Sequence, residues 1–168
     1  MNLEQARYCI DANVLIQAWQ KYYSPKLCPS YWVVLNKLGA QGRLFIPAEV
    51  AKEIQKGEDE LAAWLKSSSI VVRPLSGPVT RNWSAILAKD PKHQFLVDNT
   101  KGRSLADPWV IAHAMTENAI VVTKEEKRTA ANSDKIKIPN VCEAMGVRFI
   151  TDFEMLDELG IKFSCTAE

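Results

Sequence analysis

Four carboxylates stand beside apolar sequence in well-separated parts of the chain: Asp11 after Tyr8-Cys9-Ile10, Glu53 before Ile54, Asp107 before Pro108-Trp109-Val110-Ile111, and Glu125 after Ile120-Val121-Val122-Thr123. Apolar flanks tie an acid to a rigid element, and rigid carboxylates make good ligands for a hard cation. Hydrolysis of a phosphodiester by metal ions needs several such acids at one point, because cations roughly 3.5 to 4 Å apart repel unless anions surround them. Asp11 is the strongest candidate taken alone. It interrupts the apolar run Tyr8 to Ile16, and burying a carboxylate there is costly unless a cation, a metal or a helix N-terminus compensates. The ligands of any metal must be oxygens. Only His93 and His113 are available, and Cys9, Cys28, Cys142 and Cys165 show no C-x-x-C spacing, which disfavours zinc and leaves Mg2+ or Mn2+.

Each acid also has an ordinary explanation, Asp11 as a turn former paired with a backbone amide. Asp107 before a proline has the form of a helix N-cap. Glu53 is flanked by Lys52 and Lys56, as on a solvated helix face, and Glu49 lies one turn earlier on the same face. Glu125 sits in Lys124-Glu125-Glu126-Lys127-Arg128, where Glu126 could take its place. His113 reads as a packed helix residue. Trp19, Trp32, Trp64, Trp83 and Trp109 fit a core or an interface better than base-stacking platforms. Lys101, Arg103, Lys124, Lys127 and Arg128 flank the acids and could attract a phosphate backbone. The ordered occurrence of all four acids raises the functional reading above these alternatives.

The elements that must position the acids follow from the apolar patterning. Tyr8 to Ile16 reads as a strand covered on both faces, with Asp11 near its end. Gln17 to Tyr23 is polar and aromatic, Ser24-Pro25 with Cys28-Pro29 marks a loop, and Ser30 to Leu38 reads as a helix stopping at Gly39. Arg43 to Ile46 predicts a strand, and Ala48 to Leu65 a helix or helix pair broken near Gly57. Ser69 to Arg73 predicts a third strand, and Val79 to Leu87 a helix. Asp90 to Arg103 reads as a loop or a loosely held helix, Leu105 to Met115 as a helix with Pro108 in its first turn, and Ala119 to Thr123 as the clearest strand. After the polar loop Lys124 to Lys137 come a short helix ending at Gly146, a strand over Val147 to Ile150 and a helix ending at Gly160. Alternation of this kind predicts a three-layer α/β/α sandwich with a central, mainly parallel sheet. In such sheets ligands bind beyond the carboxyl ends of the strands, where Asp11 and Glu125 fall.

Length and composition agree with one domain over residues 1–168. The 168 residues are 47% hydrophobic and 24% charged, which is a globular composition. A net charge of +1 announces no class of partner. No apolar run approaches the roughly 18 residues of a spanning helix, and the first residues lack signal-peptide character, so the expected location is cytoplasmic, with no membrane partner.

Three segments carry a family resemblance. Ile10-Asp11-Ala12-Asn13-Val14-Leu15 resembles the opening motif of the PIN domain, the metal-dependent nuclease fold that includes the toxins of VapBC-type toxin–antitoxin pairs. Leu105-Ala106-Asp107-Pro108-Trp109-Val110-Ile111-Ala112-His113-Ala114 is similar to its third acidic motif, and Ile120-Val121-Val122-Thr123-Lys124-Glu125 to its later acid segment, with Glu125 where Asp is commoner. The second acid falls in Ile46 to Ile54, and the family spacing points to Glu53 ahead of Glu49. The C-terminal part, Ile138 to Val147 and Thr151 to Leu156, resembles an uncharacterised bacterial PIN-like subfamily. The resemblance implies a Mg2+- or Mn2+-dependent endoribonuclease in which Asp11, Glu53, Asp107 and Glu125 serve as catalytic and metal-holding residues. It also implies that Asn13 and Thr123 orient a ligand or contact phosphate. RNA would be the substrate, an antitoxin protein a possible partner, and a homodimer the assembly. Two rivals remain. One is a haloacid dehalogenase-type phosphatase, which usually wants a second acid where Asn13 stands. The other is a non-catalytic PIN-like protein-binding module.

Overall fold

A computed structural model describes residues 6–57, 59–97, 105–127 and 136–164. Its centre is a sheet of five parallel strands in the order β3-β2-β1-β4-β5. These are β1 (Tyr8–Ile10), β2 (Leu44–Pro47), β3 (Val71–Arg73), β4 (Ile120–Val122) and β5 (Phe149–Ile150). Tyr8 pairs with Leu44 on one side and with Ile120 on the other, so β1 is central. Every residue of β1, β2 and β4 is buried. That explains the unbroken apolar runs: a parallel strand covered by helices on both faces has no solvent side to make polar.

The helices are α1 (Ala12–Gln17), α2 (Pro29–Ala40), α3 (Ala48–Gly57), α4 (Asp59–Ser67), α5 (Gly77–Lys89), α6 (Asp107–Glu117), α7 (Ile138–Met145) and α8 (Asp152–Glu158). The expected α/β/α layering is therefore present. Two expectations are corrected. The run to Ile16 is not one strand: β1 ends at Ile10, and Ala12 onward is helical, with Val14 and Leu15 buried. Its apolar character serves a helix packed into the core, which periodicity over so few residues does not distinguish from a buried strand. A π-helical turn over Ala18–Tyr22 continues α1. Gly39 also does not stop α2. A Cβ there would lie 2.8 Å from the backbone of Ser69 and Ile70, so glycine is needed for close approach of α2 to the chain entering β3. Within the Asp90 to Arg103 stretch a 3-10 helix covers Pro91–Leu96; Lys101, Arg103 and Arg128 lie outside the described residues. No described helix is long and apolar enough to cross a membrane.

Candidate active site

Asp11 occupies the turn between the carboxyl end of β1 and the first turn of α1. Its backbone N–H donates to Val122 O, 3.0 Å away, which extends the β1–β4 pairing by one residue and fixes the side chain beyond both strand ends. Only 1% of the residue is exposed. One carboxylate oxygen, Oδ2, accepts a hydrogen bond from the Thr123 hydroxyl at 3.1 Å. The other, Oδ1, is buried with no hydrogen-bond partner among the described residues. Burial pushes the Asp11 carboxyl up to about 7, and the negative charges of Glu125 and then Glu53 push in the same direction. The Thr123 hydroxyl and the Ala12 backbone N–H pull against them.

Thr123 links two acids. Besides donating to Asp11, its hydroxyl accepts from the Glu125 backbone N–H at 3.1 Å. Glu125 is not a solvated loop charge: its side chain is 11% exposed. It accepts from Lys137 Nζ at 2.7 Å and from the Ile138 backbone N–H at 2.8 Å. Glu125 thereby holds the start of α7, where free N–H groups favour an anion. Glu126 is exposed.

Glu53 is half-buried on α3, and burial raises its carboxyl pKa against the opposing charge of Lys56. With Glu49 it lines a cavity of about 780 Å³ that also takes in Pro108 and Trp109 of α6. Asp107, the residue before Pro108, is buried at the first position of α6, with Ala106 as the N-cap. The acid is thus inside the helix and not its cap. α6 meets β1 directly, the Cys9 thiol lying 3.5 Å from Val110 O. Asn13 is half-buried in the first turn of α1. Asp11, Thr123 and Glu125 are joined by hydrogen bonds, Glu53 reaches Asp11 electrostatically, and Asp107 opens a helix whose next residues share the cavity with Glu53.

Among the described residues no three His, Cys, Asp or Glu side chains lie close enough to form a complete metal-ligand cluster. The donor set nevertheless suits a hard cation. Asp11 presents a buried oxygen without a partner, further carboxylates bear on it, and Mg2+ keeps several of its waters and requires only one or two protein carboxylates.

One acid escaped the sequence reading. Asp152, immediately beyond β5, is fully buried. Its Oδ1 lies 2.5 Å from Lys124 Nζ, and that ammonium sits over the rings of Phe153 at 3.8 Å and Tyr22 at 4.7 Å. Lys124 is therefore committed to an internal pair and is not available to attract phosphate. In sequence, Asp152 is hidden by Thr151-x-x-Glu154, an N-terminal capping box that the structure contains, so the acid passes for a favourable first-turn charge.

A family model described as Domain of unknown function (DUF4411) matches residues 8–163. No curated protein matches the sequence. Among solved structures, a chain from the crystal structure of VapBC2 from Rickettsia felis bound to a DNA fragment from their promoter is similar in fold. The TM-score is 0.56 at 18% identity, over 86% of this chain and 97% of that one.

Proposed function

We propose a function for this chain on the premise that it belongs to the family described as Domain of unknown function (DUF4411): it is a metal-dependent endoribonuclease with a PIN-like fold. The observation that carries the reading is Asp11 Oδ1, a buried acceptor at the carboxyl end of the central strand without a partner among the described residues, with Glu125 and Glu53 adding negative charge around it. Such a site is costly for the fold alone and suits a cation.

Asp11 would hold Mg2+ or Mn2+, and Glu53 and Asp107 would act on the ion through the waters it keeps. Bound there, the ion would lower the pKa of a water molecule and offset charge building on the phosphate. Thr123 fixes the Asp11 carboxylate through Oδ2, which leaves Oδ1 as the free face. Glu125, with both oxygens engaged by Lys137 and Ile138, contributes charge and anchors the β4 end. Asn13 orients a ligand from the first turn of α1. The likeness to a chain of the VapBC2 complex supports a narrower reading, in which the ribonuclease is the toxin of a toxin–antitoxin pair and is restrained by a partner protein. On that reading it works as a homodimer and acts in the cytoplasm.

The test is cleavage of RNA by wild type and Asp11→Asn in Mg2+ and in Mn2+. The variant should lose at least ~100-fold in rate, since it removes the central anionic ligand. A variant that cuts at the wild-type rate ends the assignment. Loss of small phosphoester hydrolysis without any RNA cleavage by wild type would favour a phosphatase.

A further inference from the structure

The cavity beside the acids has features that metal binding does not use. Its volume of about 780 Å³ falls in the range of small-ligand sites. Glu49 and Glu53 of α3 line it together with Trp83 of α5, Trp109 of α6, Val97 and Pro108. The two indoles are half-buried, with ring centroids 6.1 Å apart at 50°. Trp19, Trp32 and Trp64 form a separate cluster with centroids 4.7 to 6.3 Å apart. Lys52 and Lys56, exposed and one turn apart on α3, also line the cavity.

We infer that this cavity is a base-stacking subsite: it receives an unpaired nucleobase next to the phosphate at Asp11, and so makes the site selective for single-stranded over duplex RNA. The inference rests on the ribonuclease reading. Glu53 lines the cavity from α3, which packs against α1 directly after Asp11, and Trp109 lines it from α6, which meets β1 at Cys9, so a strand with its phosphate at Asp11 has its neighbouring base at the cavity. An indole face accepts any base, because every base has a π-face. A base in a duplex is stacked and paired and cannot turn into the cavity, whereas single-stranded segments can splay theirs. Lys52 and Lys56 supply the positive charge that a nucleic-acid backbone needs and that an apolar peptide would not.

Binding is measured on the non-cleaving Asp11→Asn protein by tryptophan fluorescence, using a short single-stranded oligoribonucleotide, its duplex and an abasic oligomer of equal length. The single strand should bind at least tenfold tighter than the duplex or the abasic oligomer. Trp83→Leu and Trp109→Leu should each weaken it about tenfold, while Trp83→Phe retains most of the affinity. In the cleaving protein the Trp→Leu changes should raise KM with kcat within about threefold. Should a Trp→Leu protein misfold, the surface double variant Lys52→Gln, Lys56→Gln still tests the site and should reduce the salt dependence of binding. Equal binding of the abasic oligomer, wild-type KM in both Trp→Leu variants, or capture of an apolar peptide without oligonucleotide quenching would overturn the subsite. If the wild type still cuts RNA in those cases, the ribonuclease reading stands without it. Trp-dependent binding with no cleavage upholds the subsite and ends the cleavage assignment.

Discussion

At Asp11, opposing influences leave a proton-dependent imprint on stability. Burial, Glu125 and Glu53 raise its carboxyl to about 7 despite the Thr123 and Ala12 hydrogen bonds, whereas in the unfolded chain it titrates at about 3.9. Between these values the folded chain holds a proton that the unfolded chain has lost. The associated stability is complete below pH ~4 and is lost as pH rises through 7. Cation-free wild type should therefore lose several degrees of Tm relative to Asp11→Asn between pH 5 and pH 8, with the variant the more stable at pH 8. Melting curves in a chelator would show it. A wild type that gains on the variant as pH rises would mean that Asp11 is stabilised as an anion within the protein, and the case for a cation would be lost.

At the scale of elements, the Lys124–Asp152 pair ties the end of β4 to the start of α8, holding the segment that carries Thr123 and Glu125. Asp152→Asn leaves an ammonium, 11% exposed, among aromatic rings without its counter-charge. The expected loss is about 3 kcal/mol, or roughly 6–12 °C in Tm, and Lys124→Met together with Asp152→Leu should recover most of it. A single variant that melts within a degree of wild type would show that the rings alone hold Lys124. The sequence made the sheet legible because buried parallel strands are continuous apolar runs, as at Ile120–Val122. It made Gly146 legible as a helix end, since φ is +68° there. It misled at Val14 to Ile16, where a buried helix and a buried strand look alike, and at Gly39, whose reason is a chain 30 residues away in sequence. Glu125 was legible as an acid after a strand, but its engagement by Lys137 and the α7 N-terminus depends on contacts that no local pattern records. Trp83 and Trp109, read as core or interface residues, do pack against the core while also lining the cavity, a dual role that burial alone does not exclude.

For the whole molecule, the parallel sheet places the ends of β1, β4 and β5 side by side, so Asp11, Thr123 with Glu125, and Asp152 collect at one edge of the core. Carboxylates gathered there are a liability to the bare fold and an asset to a cation-bound one, which makes cation binding measurable as stability. At a free Mn2+ concentration about 100 times its dissociation constant, the folded state gains about 2.7 kcal/mol, or roughly 5–11 °C in Tm at this chain length. The gain should be larger at pH 8 than at pH 6, because below about 7 a proton competes with the ion for Asp11. Asp11→Asn should remove most of the gain at both pH values. Calorimetric scans of the two proteins with and without Mn2+ separate the cases: a gain that persists undiminished in the variant places the ion away from Asp11, and a gain independent of pH between 6 and 8 means that the ion does not displace the Asp11 proton.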